Sequence, residues 1–254
     1  MHDIILIGFG NVGQSLFKGI QETHEFRVRQ IFVRNKDHAD LPTSVRVTDN
    51  LQALESADLY IVCVTDDAIE EISKNLPFND RLVVHTSGSS AVSSLKDQTR
   101  AGVFYPLQSF SRSKEVNWKE VPLCLETTLE SDLTFLKKLG RALSDKVYAI
   151  NSEQRKKLHL AAVVANNFTN HLYFLAESIC KDHNIPFEVL HPLILETATK
   201  IQSMTPYEAQ TGPARRNDQK TLNSQLQQVE GTALDKIYKL LTASIASTYE
   251  REKL

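Results

Sequence analysis

A strand that runs directly into a glycine-rich turn opens the chain, in Asp3-IILIGFGNVGQSL-Phe17. The glycine spacing allows a tight turn at Gly8, close approach of backbone N–H groups to a pyrophosphate at Gly10, and close helix–strand packing at Gly13. An anion would then sit at the helix N-terminus, where unpaired N–H groups and the helix dipole favour negative charge. The stretch predicts a dinucleotide-binding turn formed by Gly8, Phe9, Gly10, Asn11, Val12 and Gly13; the alternative is a tight βα turn without a ligand.

Short runs rich in Val, Ile and Leu alternate with helical patterns as far as Ile150. The runs are IILIG, VRQIFV, LYIVCV, RLVVHT, GVFYP, VPLCLE and KVYAI, and the helical patterns include QSLFKGIQ, LQALESA, DAIEEISKNL and DLTFLKKLGRAL. Continuous apolar strands between helices are typical of a parallel sheet that is covered on both faces. The sequence therefore predicts an α/β fold, with a Rossmann-like, mostly parallel sheet domain over residues 1–150.

Long helical patterns replace the strands from Asn151 onward, which predicts an all-helical domain over residues 151–254. No charged residue lies between Lys157 and Glu177, in LHLAAVVANNFTNHLYFLA. A helix without charge on any side is buried or lies in an interface. Its predicted polar side carries His159, Asn166, Asn170 and Tyr173. These side chains either serve catalysis, with His159 as general acid and Asn166 orienting a substrate, or form an amide network across a dimer or domain interface.

The end of the second strand selects between dinucleotides. An NAD-binding protein would place Asp or Glu there, whereas this chain has Arg34 followed by Asn35 and Lys36. Arg34 can pair with a 2′-phosphate, so the sequence favours NADP over NAD. The alternatives are that Arg34 is an exposed loop cation and that a strand ending later would bring Asp37 into the NAD position.

Polar residues follow two further strands, at the sheet edge where open α/β sheets bind ligands. Thr65 follows the strand LYIVCV, and Asp66 or Asp67 is equally suited to cap the next helix. Ser87 lies in HTSGSS, where hydrogen bonding to a substrate or a capping role is favoured over nucleophilic attack. Further along, Arg215 and Arg216 in TGPARRND could clamp a carboxylate or phosphate, next to a turn at Gly212 and a predicted cap at Asp218.

Composition excludes several classes of protein. The formal charge of −2 comes from interspersed charges, so no nucleic-acid surface is expected, and the cluster at Arg155 is interpreted as a solvated helix start. The three cysteines lie far apart, so a disulfide scaffold is not expected. The sequence has neither a CxxC nor an HxxH motif, so a metal site is not expected either. No apolar run is long enough for a membrane span. The expected protein is soluble and cytoplasmic, with no metal.

The motifs GFGNVG, VTDDAI, HTSGS, FYPLQSFS, LHLAAVVANNF and TGPARRND, in this order, resemble the Rossmann-like family with a DUF2520 domain. That family is related to pyrroline-5-carboxylate reductases and labelled as NADP oxidoreductases. The resemblance implies an NADP-carrying first domain and a helical second domain that supports a homodimer. It places the glycine loop, Arg34 and Thr65 at the cofactor. The residues it places along a cleft are Ser87, Gln108, His159, Asn166 and Arg216.

The chain departs from related patterns at two points. Ala162 and Val163 stand where β-hydroxyacid dehydrogenases have a catalytic lysine one turn before an asparagine, and Tyr105 stands where the family tends to have histidine before PLQ. The leading hypothesis is an NADP-dependent oxidoreductase that transfers hydride to or from an imine, keto acid or hydroxy acid, with substrate contacts from Ser87, Gln108, Asn170, Arg215 and Arg216. The alternative is a non-catalytic NADP-binding sensor or scaffold.

Overall fold

The computed structural model describes residues 1–37, 41–96, 98–112 and 114–250. It forms two compact units that divide between Ala165 and Asn166. Within the described ranges, no helix combines the length and the apolar character needed to cross a membrane.

An eight-stranded sheet forms the centre of the first unit. Its strands are β1 (His2–Ile7), β2 (Phe26–Phe32), β3 (Arg46–Thr48), β4 (Leu59–Val62), β5 (Leu82–His85), β6 (Arg100–Pro106), β7 (Leu123–Thr127) and β8 (Val147–Ala149). The order across the sheet is β3-β2-β1-β4-β5-β6-β7-β8, and every neighbouring pair is parallel except β6 and β7. The predicted mostly parallel sheet is confirmed. Only β3 was absent from the sequence prediction.

Helices cover both faces of this sheet. They are α1 (Asn11–Gln21), α2 (Asp66–Asn75), α3 (Glu130–Leu143) and α4 (Ser152–Ala162). Successive side chains of β1 point to opposite faces, so Ile4 and Leu6 enter one buried cluster with Leu16 of α1, whereas Ile5 and Ile7 enter another with Ile69 of α2. Burial on both faces explains why the strands are continuous apolar runs.

The segment LQALESA, predicted as a helix, forms only a three-residue 3-10 helix, Leu51–Ala53. The buried Gln30 side chain accepts from the N–H of Glu55 at 2.8 Å and donates to the carbonyl of Ala53 at 3.1 Å. Tyr60 donates its hydroxyl to the carbonyl of Glu55 at 2.8 Å. These side chains bind backbone groups that a longer helix would use, so the tertiary contacts end the helix early.

The C-terminal region is helical, as predicted; the sequence prediction began this region at residue 151, whereas the second compact unit begins at Asn166. The helices of this unit are α5 (Thr169–Asp182), α6 (His191–Lys200), α7 (Pro206–Ala209), α8 (Pro213–Arg216), α9 (Gln219–Val229) and α10 (Leu234–Glu250). A π-helical segment, Val163–Phe168, lies between α4 and α5 along the chain, so the 3.6-residue period used for the predicted faces does not run through it. The uncharged stretch was expected to be buried or in an interface, yet Val164 and Phe168 are 53% and 59% exposed in the single chain.

Candidate functional site

The glycine turn has the strained geometry that the motif predicts at its first position. Gly8 has φ +101°, and a Cβ atom there would lie 2.4 Å from the carbonyl oxygen of Cys63, just after β4. The N–H of Gly8 donates to the carbonyl of Phe32 at the end of β2, at 2.9 Å. Because the turn is held between the ends of both neighbouring strands, a side chain at position 8 would both clash and require an unfavourable backbone angle.

The N-terminus of α1 opens onto space beside this turn. Gly10 is its N-cap and provides no capping side chain, and a Cβ atom at Gly10 would meet nothing within 4 Å. The first N–H groups of a helix have no acceptor within the helix, so they remain available to an anion. The open space at Gly10 therefore fits a pyrophosphate that approaches the backbone closely.

A cavity of about 420 Å³ extends from the glycine turn across the ends of β1, β2 and β4. Six predicted cofactor residues line it, namely Gly8, Phe9, Gly10, Arg34, Asn35 and Thr65. The sequence prediction missed Gln14, Leu41, Ala68 and Arg112, which also line it. Arg112 follows the PLQSFS motif, about 80 residues after the second strand in sequence, so only the folded chain shows that it borders the same cavity as Arg34.

The three remaining residues of the predicted loop have other contacts. The side-chain amide of Asn11 donates to the carbonyl of Phe110 at 3.1 Å, and Val12 packs against the hydrophobic core. Gly13 lies directly beneath the turn, where a Cβ atom would be 2.5 Å from the carbonyl oxygen of Gly8. These residues support the turn, whereas Gly8, Phe9 and Gly10 border the cavity.

Arg34 lies two residues after the last residue of β2, is exposed, and borders the cavity. Its neighbours are engaged locally: Lys36 forms an ion pair with Asp49 at 2.7 Å, and the Asn35 side chain accepts from the N–H of Asp37 at 2.8 Å. Because β2 ends at Phe32, Asp37 lies five residues past the strand. The residue near the strand end that the sequence prediction assigned to cofactor selection is therefore Arg34 and not Asp37.

Two further loops meet at the same sheet edge. Thr65 is the N-cap of α2 but forms no side-chain capping bond, and Asp66 is the first residue of the helix. The hydroxyl of Ser89, in the loop after β5, donates to the Asp66 carboxylate. This bond joins the start of α2 to the loop after β5.

Ser87 has its hydroxyl oxygen engaged inside the loop after β5. It accepts from the N–H groups of Ser89 at 3.1 Å and Ser90 at 2.9 Å. The N–H of Ser87 donates to Nδ1 of the buried His85 at 3.2 Å, and Nε2 of His85 lies 3.1 Å from the carbonyl of Ala91, to which it donates. Burial lowers the pKa of His85 to about 4, so this ring is neutral at pH 7. Ser87 and His85 therefore stabilise the conformation of this loop through hydrogen bonds to its backbone.

Gly88, in the loop after β5, packs against a tyrosine–histidine pair. The hydroxyl of Tyr105, at the end of β6, lies 3.2 Å from Nδ1 of His159 on α4. A Cβ atom at Gly88 would lie 2.6 Å from that Nδ1 and 2.7 Å from Cζ of Tyr105. Burial raises the pKa of Tyr105, so the phenol is protonated at neutral pH. The structure thus joins His159, a predicted site residue, to Tyr105, which sequence reasoning noted only as a departure from the family.

A buried ion pair fixes the start of α4. Arg155 is fully buried and donates to the Glu126 carboxylate and to the carbonyl of Ser90, and both the N–H and hydroxyl of Ser152 donate to Glu126. The interpretation of this cluster as a solvated helix start is wrong for Arg155. Because His159 comes four positions after Arg155, the two residues lie on one side of α4, and the ion pair holds that side against the sheet.

The other predicted substrate residues lie apart from the cavity or in the second unit. Gln108 is exposed, and its side-chain oxygen accepts from the N–H of Ser109 at 2.8 Å. Asn166 and Asn170 belong to the second unit and are exposed there. Their contact with a substrate stays a prediction.

Arg215 and Arg216 differ in their surroundings within the second unit. The Arg215 guanidinium donates to the carbonyls of Glu208 and Gln210 and lies 4.9 Å from the ring centroid of Tyr249 on α10. Arg216 is exposed. The predicted cap is confirmed, since the Asp218 carboxylate accepts from the N–H of Thr221 at 3.1 Å and from its hydroxyl at 2.7 Å. The turn motif therefore organises the start of α9, and Arg215 links it to α10.

Two family profiles match the chain. One is described as NADP oxidoreductase coenzyme F420-dependent and covers residues 3–88; the other is the domain of unknown function DUF2520 and covers residues 121–245. No curated protein sequence matches. In the described part of the chain, no group of three or more His, Cys, Asp or Glu side chains is arranged to hold a metal ion.

Three solved structures share the architecture. BF3122 from Bacteroides fragilis, assigned as an NADP oxidoreductase, is 38% identical, with 97% of this chain and 98% of that chain aligned and a TM-score of 0.87. A 1-pyrroline-5-carboxylate reductase from Streptococcus pyogenes is 14% identical, over 98% of each chain, with a TM-score of 0.64. An imine reductase from Myxococcus stipitatus, solved in complex with NADP⁺, is 14% identical, over 98% and 93% of the two chains, with a TM-score of 0.65.

The two structures at 14% identity show that the fold is shared. The structure from Bacteroides fragilis, at 38% identity, shows membership of the same family. Together with the two family profiles, its 38% identity over nearly the whole length shows that the chain belongs to the Rossmann-like, DUF2520-containing family of proteins assigned as NADP oxidoreductases.

Proposed function

We propose that this protein is an NADP-dependent oxidoreductase that transfers hydride to or from a small polar substrate, such as an imine, a keto acid or a hydroxy acid. One observation carries the proposal: the open backbone at Gly10, the N-terminus of α1 and the Arg34 side chain border a single cavity. This combination suits a phosphorylated dinucleotide, because it offers N–H donors for a pyrophosphate and a guanidinium for a further phosphate.

The residues that line the cavity suit the phosphate groups of NADP and the region beside its nicotinamide. The N–H groups at the start of α1 would bind the pyrophosphate, Arg34 and Asn35 would bind the 2′-phosphate, and Thr65 would lie toward the nicotinamide. When bound, NADP(H) supplies the hydride chemistry, and the protein supplies orientation and a proton. The imine reductase with the same fold was solved with NADP⁺, which supports the choice of cofactor class.

His159 is the proposed proton donor or acceptor. It is half-buried beyond the carboxyl ends of β5 and β6, near the loop that is bonded to the start of α2. An imidazole nitrogen can either donate or accept a proton, so it suits either direction of the reaction. Asn166, Asn170, Arg216 and Gln108 remain the predicted substrate contacts, whereas the bonds of Ser87 and Arg215 favour structural roles for those two residues.

Turnover of NADPH tests the proposal. The purified protein would be assayed by loss of NADPH absorbance against panels of cyclic imines, keto acids and aldehydes, with the reverse reaction assayed on hydroxy acids. We expect turnover in at least one panel and a loss of 10²-fold or more in kcat for His159→Ala, the range typical of general acid–base catalysis. His24→Ala, at an exposed histidine, is the matched control. Tight NADP(H) binding without turnover in any panel would contradict the proposal and indicate the non-catalytic sensor.

We further propose that the protein acts as a homodimer through its second unit. Large apolar side chains are exposed on α6, on α10 and before α6, including Val189, Leu193, Leu195 and Leu240, each more than 60% exposed. An apolar area of this kind on a single chain is typical of a protein interface. Sedimentation equilibrium should give twice the chain mass, and Leu193→Glu with Leu195→Glu should shift it toward the monomer, whereas a monomeric wild type would contradict the proposal.

The cellular compartment is also a proposal. Cys63, Cys124 and Cys180 are all free and buried. Unpaired thiols suit a reducing compartment, so we expect the protein to act in the cytoplasm. Fractionation of cells expressing the tagged full-length chain would test this.

A further inference from the structure

We propose that Tyr105 is a positioning residue for His159: its hydroxyl binds Nδ1 of the imidazole and leaves Nε2 as the only nitrogen that exchanges a proton with substrate. The inference rests on the proposed function, in which His159 is the acid or base. It adds a second residue and names the reacting atom.

The geometry fixes both partners of the pair. The hydroxyl of Tyr105 lies 3.2 Å from Nδ1 of His159, and the rings meet edge to face with centroids 6.1 Å apart. Tyr105 is buried and pairs with Cys124 across the antiparallel β6–β7 ladder, so its backbone is held in the sheet. The ion pair of Arg155 with Glu126 holds α4, one turn before His159, against the same sheet. Both rings are therefore attached to backbone that lies in the sheet or is bound to it.

Gly88 shows how closely the pair is packed. A Cβ atom there would lie 2.6 Å from Nδ1 of His159 and 2.9 Å from the hydroxyl oxygen of Tyr105. The backbone at Gly88 thus closes the side of the imidazole that carries Nδ1. Substrate cannot reach that nitrogen without displacing the loop, so proton exchange with substrate would use Nε2.

A tyrosine hydroxyl can keep this contact in both charge states of the ring. It accepts from Nδ1–H when the ring is cationic, and it still accepts after Nε2 has given up its proton, because Nδ1 keeps its hydrogen. In the transfer, the cationic ring breaks its Nε2–H bond, the substrate nitrogen or oxygen gains the proton, and the electron pair stays on Nε2. The phenol keeps its own proton, because deprotonation would bury a charge.

Nitrogen-15 NMR tests the contact without requiring turnover. In protein labelled at histidine, the His159 resonances are assigned by their loss in His159→Ala. We expect the Nδ1 shift of a hydrogen-bonded nitrogen in the wild type, and a change of that shift in Tyr105→Phe but not in Tyr148→Phe, a tyrosine that is 51% exposed. An unbonded Nδ1 shift in the wild type would overturn the proposal even if Tyr105→Phe failed to fold.

Kinetics then test the catalytic consequence. With a substrate identified in the NADPH assay, Tyr105→Phe should lower kcat about tenfold or more while KM for NADPH is unchanged, because loss of orientation affects the proton transfer and not cofactor binding. If His159→Ala loses turnover while Tyr105→Phe retains full kcat, the proposed function stands and this inference fails. If the wild type has no turnover, the proposed function fails, and with it the role of Tyr105 in catalysis.

Discussion

A Cβ atom on Gly13 would lie 2.5 Å from the carbonyl oxygen of Gly8, whereas a Cβ atom on Gly10 would meet nothing within 4 Å. The two outer glycines of the turn are thus constrained by the protein itself, since Gly8 also has a positive φ. The middle glycine is not constrained by the protein. Its open surroundings are explained by a ligand that approaches the backbone at that point.

This difference predicts that alanine at position 13 lowers stability, whereas alanine at position 10 weakens cofactor binding. Gly13→Ala should lower the free energy of unfolding by about 1–3 kcal/mol, since the clash is with backbone that cannot move aside easily. Gly10→Ala should leave stability unchanged within about 0.5 kcal/mol and weaken NADP binding, because the methyl group would occupy the space of the pyrophosphate. Denaturant unfolding and calorimetric titration measure the two quantities. Equal effects of both variants on stability would show that Gly10 has only a structural role.

Arg34→Ala should weaken NADP(H) binding by about ten- to a hundredfold, the value of one charge-assisted hydrogen bond to phosphate. NAD(H) binding should hardly change, because NAD lacks the 2′-phosphate. Lys36→Ala is the control, as Lys36 is already paired with Asp49 at 2.7 Å. Calorimetric titration of each variant with NADP(H) and with NAD(H) measures these affinities. An equal loss for NAD and NADP would mean that Arg34 does not recognise the 2′-phosphate.

His85 should make the stability of the first unit depend on pH. Its pKa is lowered by burial to about 4 in the folded protein, compared with about 6.5 in the unfolded chain, so the unfolded chain binds more protons between these values. The contribution is fully present above pH 6.5 and is lost as the pH falls toward 4, with about 2 kcal/mol lost by pH 5.

Denaturant unfolding at pH 7 and pH 5 tests this contribution. His85→Gln should reduce the difference between the two pH values, while His24→Gln, at an exposed histidine, should not. If the wild type and His85→Gln lose the same stability on acidification, the assignment of this pH dependence to His85 is refuted.

Arg215→Ala should destabilise the second unit by about 1–2 kcal/mol, because it removes a cation–π contact and hydrogen bonds to two carbonyls. Tyr249 should then be less firmly held, although its hydroxyl still donates to the carbonyl of Tyr207 at 2.7 Å. Arg216→Ala should change stability by less than about 0.5 kcal/mol, as expected for an exposed side chain. The pair is compared by denaturant unfolding. An unchanged midpoint in Arg215→Ala would leave that arginine available for the predicted substrate contact.

The sequence by itself determined the α/β class, the mostly parallel sheet, the helical second part and the glycine turn at the end of the first strand. These features depend on local patterns: continuous apolar strands, amphipathic helices, and glycines at a spacing that few other structures require. The cap at Asp218 was predictable for the same reason, since the capping bond to Thr221 spans only three residues. The position of Arg34 beside the cavity was predictable because it depends only on where one strand ends.

Only the tertiary structure decided what depends on contacts between distant segments. The buried Gln30 and Tyr60 ended the helix predicted in LQALESA, and the Glu126 carboxylate turned Arg155 from an expected surface cation into a fully buried one. Arg112 joined the cavity of Arg34 from another loop. Tyr105 and His159 are separated by 54 residues, and neither periodicity nor a local motif links them. Their pairing exists because β6 and α4 are fixed against the same sheet, which no short stretch of sequence encodes.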